Sequence, residues 1–210
     1  MNAPAPEARP QIRVDLQLIA DMIEPKTRVL DVGAGDGTLL DYLVHYKRVD
    51  GRGIELSQEG VKACVSHGLS VIQGNAETDL KDYPADAFDY VILSQTLLEV
   101  RDTKGALEQL MRIGHRAIVS FPNFGHWRIR WYLLWSGRTP MTPVLPYQWY
   151  DTPNIRLCTV DDFLALCREM EITVREAYAV DMAGRARRFR AGSWLTNWRA
   201  QQAVFLLARE

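Results

Sequence analysis

Residues 28–38 read RVLDVGAGDGT, a short apolar run holding Asp31 and leading straight into glycines at 33, 35 and 37. The run suits a buried parallel strand, and the glycines permit a tight strand-to-helix turn in which backbone amides approach a ligand closely. A dinucleotide site would need GxGxxG, whose third glycine lets the next helix pack on the strand while its N-terminus faces a pyrophosphate. Here the third glycine comes one residue early. Asp31 and Asp36 would also set two carboxylates beside any bound phosphate, an arrangement that like charges disfavour. A ligand without phosphates fits this turn better, and a purely structural glycine turn is the plainer alternative.

Working outward, residues 50–56 (DGRGIEL) form a β-like stretch ending in Glu55, 18 residues after Gly37 and 24 after Asp31. In a doubly wound sheet an acidic residue about 20 positions past the glycines sits at the tip of strand two, where it accepts ribose hydroxyls. S-adenosylmethionine has a ribose, no phosphate, and an ammonium and a sulfonium that tolerate carboxylates. A third stretch, LSVIQGNAE at 69–77, gives an alternating strand, a glycine and then polar groups. In this order the parts resemble a class I methyltransferase fold. That resemblance implies a cofactor site of Asp31, Gly33, Ala34, Gly35, Gly37, Glu55, Leu56, Asn75, Ala76 and Ser94. It implies that Asn75 and the Ala76 amide meet the adenine; the family more often has Asp at position 75. An Asn oxygen accepts the same bond, more weakly than a carboxylate.

Composition agrees with one soluble domain over residues 1–210. A chain of 210 residues with 47% hydrophobic content can bury a substantial α/β core. No stretch approaches 18 consecutive apolar residues, so a membrane span is not expected. Residues 1–11, beginning MNAPAPEARP, lack the apolar heart of a signal peptide and read as a flexible tail. Cys64, Cys158 and Cys167 show no CxxC spacing, which predicts free thiols in a reducing cytoplasm and no metal site. A net charge of −1 argues against general nucleic-acid affinity.

Along the chain, Ile12, Leu16, Ile19 and Ile23 mark one face of an N-terminal helix stopped by Pro25. Helices are predicted from Gly37 to Tyr46, from a Ser57 cap to Ser66, after Asp102 or Thr103, and after Thr159, which with Asp162 makes a near capping box. Strands four and five are predicted at 88–94 and 116–121, with two more near 172–180 and 203–208. Alternating strands and helices imply a Rossmann-like, mostly parallel sheet with helices on both faces and a ligand crevice beyond the strands' carboxyl ends. The methyltransferase resemblance implies seven strands in the order 3-2-1-4-5-7-6, with strand seven antiparallel.

After strand five, residues 122–157 read as an aromatic insertion. From Phe121 to Tyr150 lie nine of the twenty aromatic residues, and Trp127, Trp131 and Trp135 recur every four positions along one helical face. Either this stripe covers the sheet, or it forms a lid or a docking surface on which Trp127, Arg130, Trp131, Trp135 and Trp149 meet a partner. From Gln109 to Tyr150 there are five arginines and no acidic residue; Met182 to Arg209 is also acid-free, with arginines concentrated at 184–199. Solvated basic loops account for such runs, as does an acidic partner. Catalytic groups are sparse. His126, beside the expected crevice, is the candidate general base, unless Glu99 points inward; positioning alone supplies much of the rate when the acceptor is nucleophilic.

Four strings, DYPADAFDYVILSQTL, IVSFPNFGHWR, LPYQWYDTPNI and LCTVDDF, closely resemble the methionine-biosynthesis MetW family from about Arg13 to Asp181. Leu98 and Glu99 stand where the family more often has Gln-Ala. The resemblance implies a cytoplasmic protein that binds S-adenosylmethionine or S-adenosylhomocysteine and acts with homoserine O-acyltransferase. The alternative is a methyltransferase acting on a small acceptor. Neither membrane nor nucleic acid is an expected partner.

Overall fold

The apolar runs become strands of one sheet. The computed structural model describes residues 12–143, 145–181, 183–190 and 194–209; the expected tail at 1–11, and Val144 and Met182 of the aromatic and acid-free stretches, lie outside them. The strands are β1 (Arg28–Val32), β2 (Asp50–Glu55), β3 (Ser70–Gln73), β4 (Phe88–Ser94), β5 (Gly114–Pro122), β6 (Thr173–Val180), β7 (Ala186–Arg188) and β8 (Gln202–Ala208). The helices are α1 (Val14–Met22), α2 (Thr38–Lys47), α3 (Gln58–Ser66), α4 (Thr103–Ile113), α5 (Trp127–Ser136), α6 (Val160–Glu169) and α7 (Trp194–Arg199).

Sheet order is β3-β2-β1-β4-β5-β8-β6-β7. The first five positions are parallel, and β8 runs antiparallel between β5 and β6. This matches the expected order, with one correction: an eighth strand, β7, pairs antiparallel with the outer side of β6. All three of its residues are exposed, and Arg187 and Arg188 put charge on a short edge that would otherwise invite further strand pairing.

Side-chain alternation on the central strands divides the core in two. Val91 and Leu93 of β4 face α4 and α6, joining Leu107, Leu110, Phe163 and Phe205. Tyr90 and Ile92 face the other way, onto Ile19 and Ile23 at α1 and Leu39 and Leu43 of α2. Phe121, Phe163 and Phe205 form an aromatic knot with ring centroids 4.7–5.8 Å apart, within the range of favourable ring pairs. Helix starts follow their caps: Ser57 accepts from Gly60 N, Asp102 from Gly105 N, and Thr159 with Asp162 completes a capping box.

What arranges the chain after β5 is Asn123, which is fully buried. Its Nδ2 donates to the carbonyls of Asn197 and Ala200 at 2.8 Å each, and its Oδ1 accepts from Gly125 N at 2.9 Å and Val160 N at 3.1 Å. One carboxamide therefore ties the end of β5 to the approach to α5, the first turn of α6 and the end of α7. Asn123→Ala strands two buried amides and two carbonyls, each costly without a partner. We expect it to lower unfolding free energy by about 3 kcal/mol or more in urea titration. Trp131→Ala, at a side chain 56% exposed, should change stability by only about 0.5 kcal/mol in the same measurement.

Candidate functional site

The glycine turn after β1 is left-handed at all three glycines, with φ of 79°, 57° and 83° at Gly33, Gly35 and Gly37. Two of them are needed for different reasons. At Gly37 a Cβ would lie 2.7 Å from Leu69 Cδ1 and 2.9 Å from Cys64 Sγ, so its absence lets the turn settle on α3. At Gly35 a Cβ would meet nothing within 4 Å, so the side of this residue where a side chain would stand is open, while its amide is held by Glu55 and its carbonyl packs on Gly60.

Glu55, at the tip of β2, is tied to that turn. Its Oε2 accepts from Gly35 N and its Oε1 from Ser57 N, both at 2.8 Å. A carboxylate has about four lone-pair positions, so each oxygen keeps capacity for a ribose hydroxyl while bracing the loop. Gly60 completes the joint. A Cβ there would come within 2.6 Å of Gly35 O, so the first turn of α3 must be bare to lie flush on the loop. In the sequence the only mark of Gly60 is a glycine in the first turn of a helix where nothing local requires one.

Together these elements wall a crevice of about 710 Å³ at the carboxyl ends of the parallel strands. Of the ten predicted cofactor residues, Gly33, Gly35, Glu55, Leu56, Asn75, Ala76 and Ser94 line it. Asp31, Ala34 and Gly37 do not; they are not among its lining residues. Asp31 is 2% exposed, and its Oδ1 has no hydrogen-bond partner among the described residues. Burial, with the neighbouring Glu55 carboxylate adding to it, raises this carboxyl from the usual carboxylate range to about 7. Asn75 Oδ1 accepts from Glu77 N at 2.9 Å, while Asp79 holds Asn75 N at 2.9 Å. The side-chain oxygen expected to read adenine thus also shapes its own turn.

The opposite wall follows β4. Ser94 Oγ lies 3.1 Å from Ser120 Oγ, and Gln95, with φ of 65°, turns the chain into a 3₁₀ turn at Thr96–Leu98. Glu99, Val100 and Arg101 line the crevice beyond it; burial, with Glu55 adding to it, raises the Glu99 carboxyl. The segment between β5 and α6 reaches this wall. Ile155 N and Arg156 N both donate to Leu98 O, at 2.9 and 3.1 Å, and the Arg156 guanidinium reaches the carbonyls of Val100 and Arg101. Ile155 thereby enters the crevice lining. Nothing in the local pattern of DTPNI announces this contact.

His126 is elsewhere. It is 4% exposed, caps α5 by accepting from Arg128 N, and lines a smaller cavity rather than the crevice. Burial, with Arg128 adding to it, lowers its pKa. The placement expected of a general base beside the crevice is therefore corrected to that of a buried helix cap.

The tryptophan stripe does not cover the sheet. In α5 only Ile129 is buried; Trp131 and Trp135 are 56% and 73% exposed, and Leu133, Leu134 and Trp149 also face outward. Trp127 is stacked by Arg128 at 5.3 Å, and Arg130 lies 5.7 Å from the Trp198 ring of α7. These side chains bring apolar area and guanidinium charge onto one surface.

Among solved structures, the fold is similar to a possible histamine N-methyltransferase of Thermotoga maritima, at TM-score 0.66 and 17% identity over 94% of this chain and 88% of that one. It is similar to the cyclase SpnF at TM-score 0.64 and 18% identity, over 92% and 80% respectively. Both likenesses concern the fold. In sequence, 174 residues are 33% identical to a bifunctional methionine biosynthesis protein MetXA/MetW of Rhodopirellula baltica. That match covers 79% of this chain but 28% of the relative's length. The family described as "Methionine biosynthesis protein MetW" matches residues 13–207. By that match along nearly its whole length, the chain belongs to the MetW family.

Proposed function

We propose that this protein binds S-adenosylmethionine or S-adenosylhomocysteine in the crevice and activates or regulates homoserine O-acyltransferase, which it contacts through the α5 surface. The observation that carries the ligand half is Gly35, left-handed and open on the side where a side chain would stand, held beside the carboxylate of Glu55. The unpaired Asp31 Oδ1 fits the same ligand, because a cation over the loop favours the ionised carboxylate. Exposed tryptophans beside arginines support the partner half, since interface energy concentrates in such anchors. The name of the MetXA/MetW relative supports association as well.

A second reading, methyl transfer to a small acceptor, is favoured by Glu99, a carboxyl of raised pKa on the crevice wall. Such a group takes a proton from an acceptor within reach.

Calorimetric titration tests the ligand. Protein shown to be folded and ligand-free should bind one of the two molecules, and Glu55→Ala should weaken binding by about 1.5–3 kcal/mol, the range for bonds to a charged group. No heat and no thermal shift with either would end this reading.

Asp31 gives a pH signature. The native state keeps its proton up to about pH 7, whereas the unfolded chain releases it near pH 4. The native state therefore holds the extra proton in that window, and this group's contribution makes stability fall as pH rises from about 4 to about 7. Asp31→Asn should flatten the slope in denaturant titrations across that range. Ligand binding near pH 6 should release protons, seen as a dependence of binding heat on buffer ionisation enthalpy.

For the partner, Trp131→Ala should cost about 2 kcal/mol or more of affinity, and association should be faster at low salt. Co-purification and acyltransferase assay with wild type, Trp131→Ala and Arg130→Glu decide it. A methylated small product, with no effect on the acyltransferase, would favour the second reading.

A further inference from the structure

A cavity of about 210 Å³ lies between α5 and residues 140–143, with one wall from the chain just before β8. It is larger than the roughly 15 Å³ that admits one water and smaller than the roughly 300 Å³ at which drug-sized sites begin, so its scale suits a molecule of a few heavy atoms. Ile129, Pro140, Met141 and Pro143 make an apolar wall, and His126, Arg128 and Gln201 supply polar groups.

Two of those polar groups are more than nine-tenths buried. Gln201 is 8% exposed, and its backbone is used by Asn123 and Val180, but its carboxamide has no partner among the described residues. His126 is 4% exposed, and its Nδ1 accepts from Arg128 N at 3.4 Å. That bond assigns the neutral ring's proton to Nε2, leaving an N–H donor without an acceptor among the described residues. Neither the carboxamide nor the ring N–H is sealed inside the protein, so both are reached from the cavity they line. Arg128 lines the same cavity, held over the Trp127 ring. A guanidinium, an imidazole N–H and a carboxamide N–H₂ all donate, and no acidic side chain lines the cavity.

We infer that this cavity is a binding site for a small carboxylic acid, its carboxylate received by Arg128, His126 and Gln201 and its short carbon chain lying along Ile129, Met141 and Pro143. The site is separate from the crevice and does not depend on how the crevice is used.

The test titrates the whole protein with butyrate, with its neutral analogue butyramide and with inorganic phosphate, following the ¹⁵N signals of the His126 ring and the melting temperature. Butyrate should move the His126 Nε2 signal and raise the melting temperature, while butyramide and phosphate should bind at least roughly tenfold more weakly, lacking either the charge or the apolar chain. Arg128→Gln should weaken butyrate by roughly tenfold or more. Met141→Phe, which fills the cavity from an exposed position, should abolish it, and both variants should keep the wild-type melting temperature without ligand. If butyrate leaves His126 unmoved, or if phosphate binds as well as butyrate, the inference is overturned. Retention of full affinity in both variants overturns it equally.

Discussion

The carboxamide of Asn123 is the constraint on which everything after the fifth strand depends. It satisfies two amides and two carbonyls that the chain would otherwise bury unpaired, and it does so at the point where the central sheet ends and the aromatic segment begins. Because both its oxygen and its nitrogen are committed, no other side chain of similar size serves. Asp would lose the donors, and Leu would lose everything. From this one residue the starts of α5 and α6 and the end of α7 take their mutual positions, and the crevice wall at Ile155 and the α5 surface follow from them.

The crevice rests on a second economy of bonds. Glu55 uses each carboxylate oxygen to hold one backbone amide, so the group expected to meet a ribose also fixes the loop that would lie beside it. Asp31 Oδ1 is buried with no partner among the described residues. The same fold is shared by proteins named for methyl transfer and for cyclisation, so the fold itself does not choose a chemistry.

Much of this was legible in the sequence because the signals were local. Glycine spacing at 33–37, the apolar run at 88–94 and the Thr159–Asp162 capping box each act within a few residues, and each appears where expected. β7 leaves no signal in the sequence because three exposed residues show no alternation, and α7 none because six residues are too few for a helical period to show. His126 follows the fifth strand along the chain but not in space, since its capping of α5 turns it into the smaller cavity. The strap from Arg156 to Val100 and Arg101 spans more than fifty positions of sequence, which no periodicity encodes. For α5 the sequence was ambiguous in principle, since a stripe every four residues is written identically whether it faces a core or the solvent.

That outward stripe bears on colloidal behaviour. Exposed apolar faces of this kind adhere to one another, yet α5 and the turn after it carry Arg128, Arg130 and Arg138 and no acidic residue, so two copies approaching through α5 present charge of one sign there. Their repulsion reaches about 10 Å at about 0.1 M salt and about 3 Å at molar salt. Dispersal of the isolated chain thus leans on ionic strength: salt that weakens an oppositely charged contact also removes the barrier that keeps uncovered tryptophans apart.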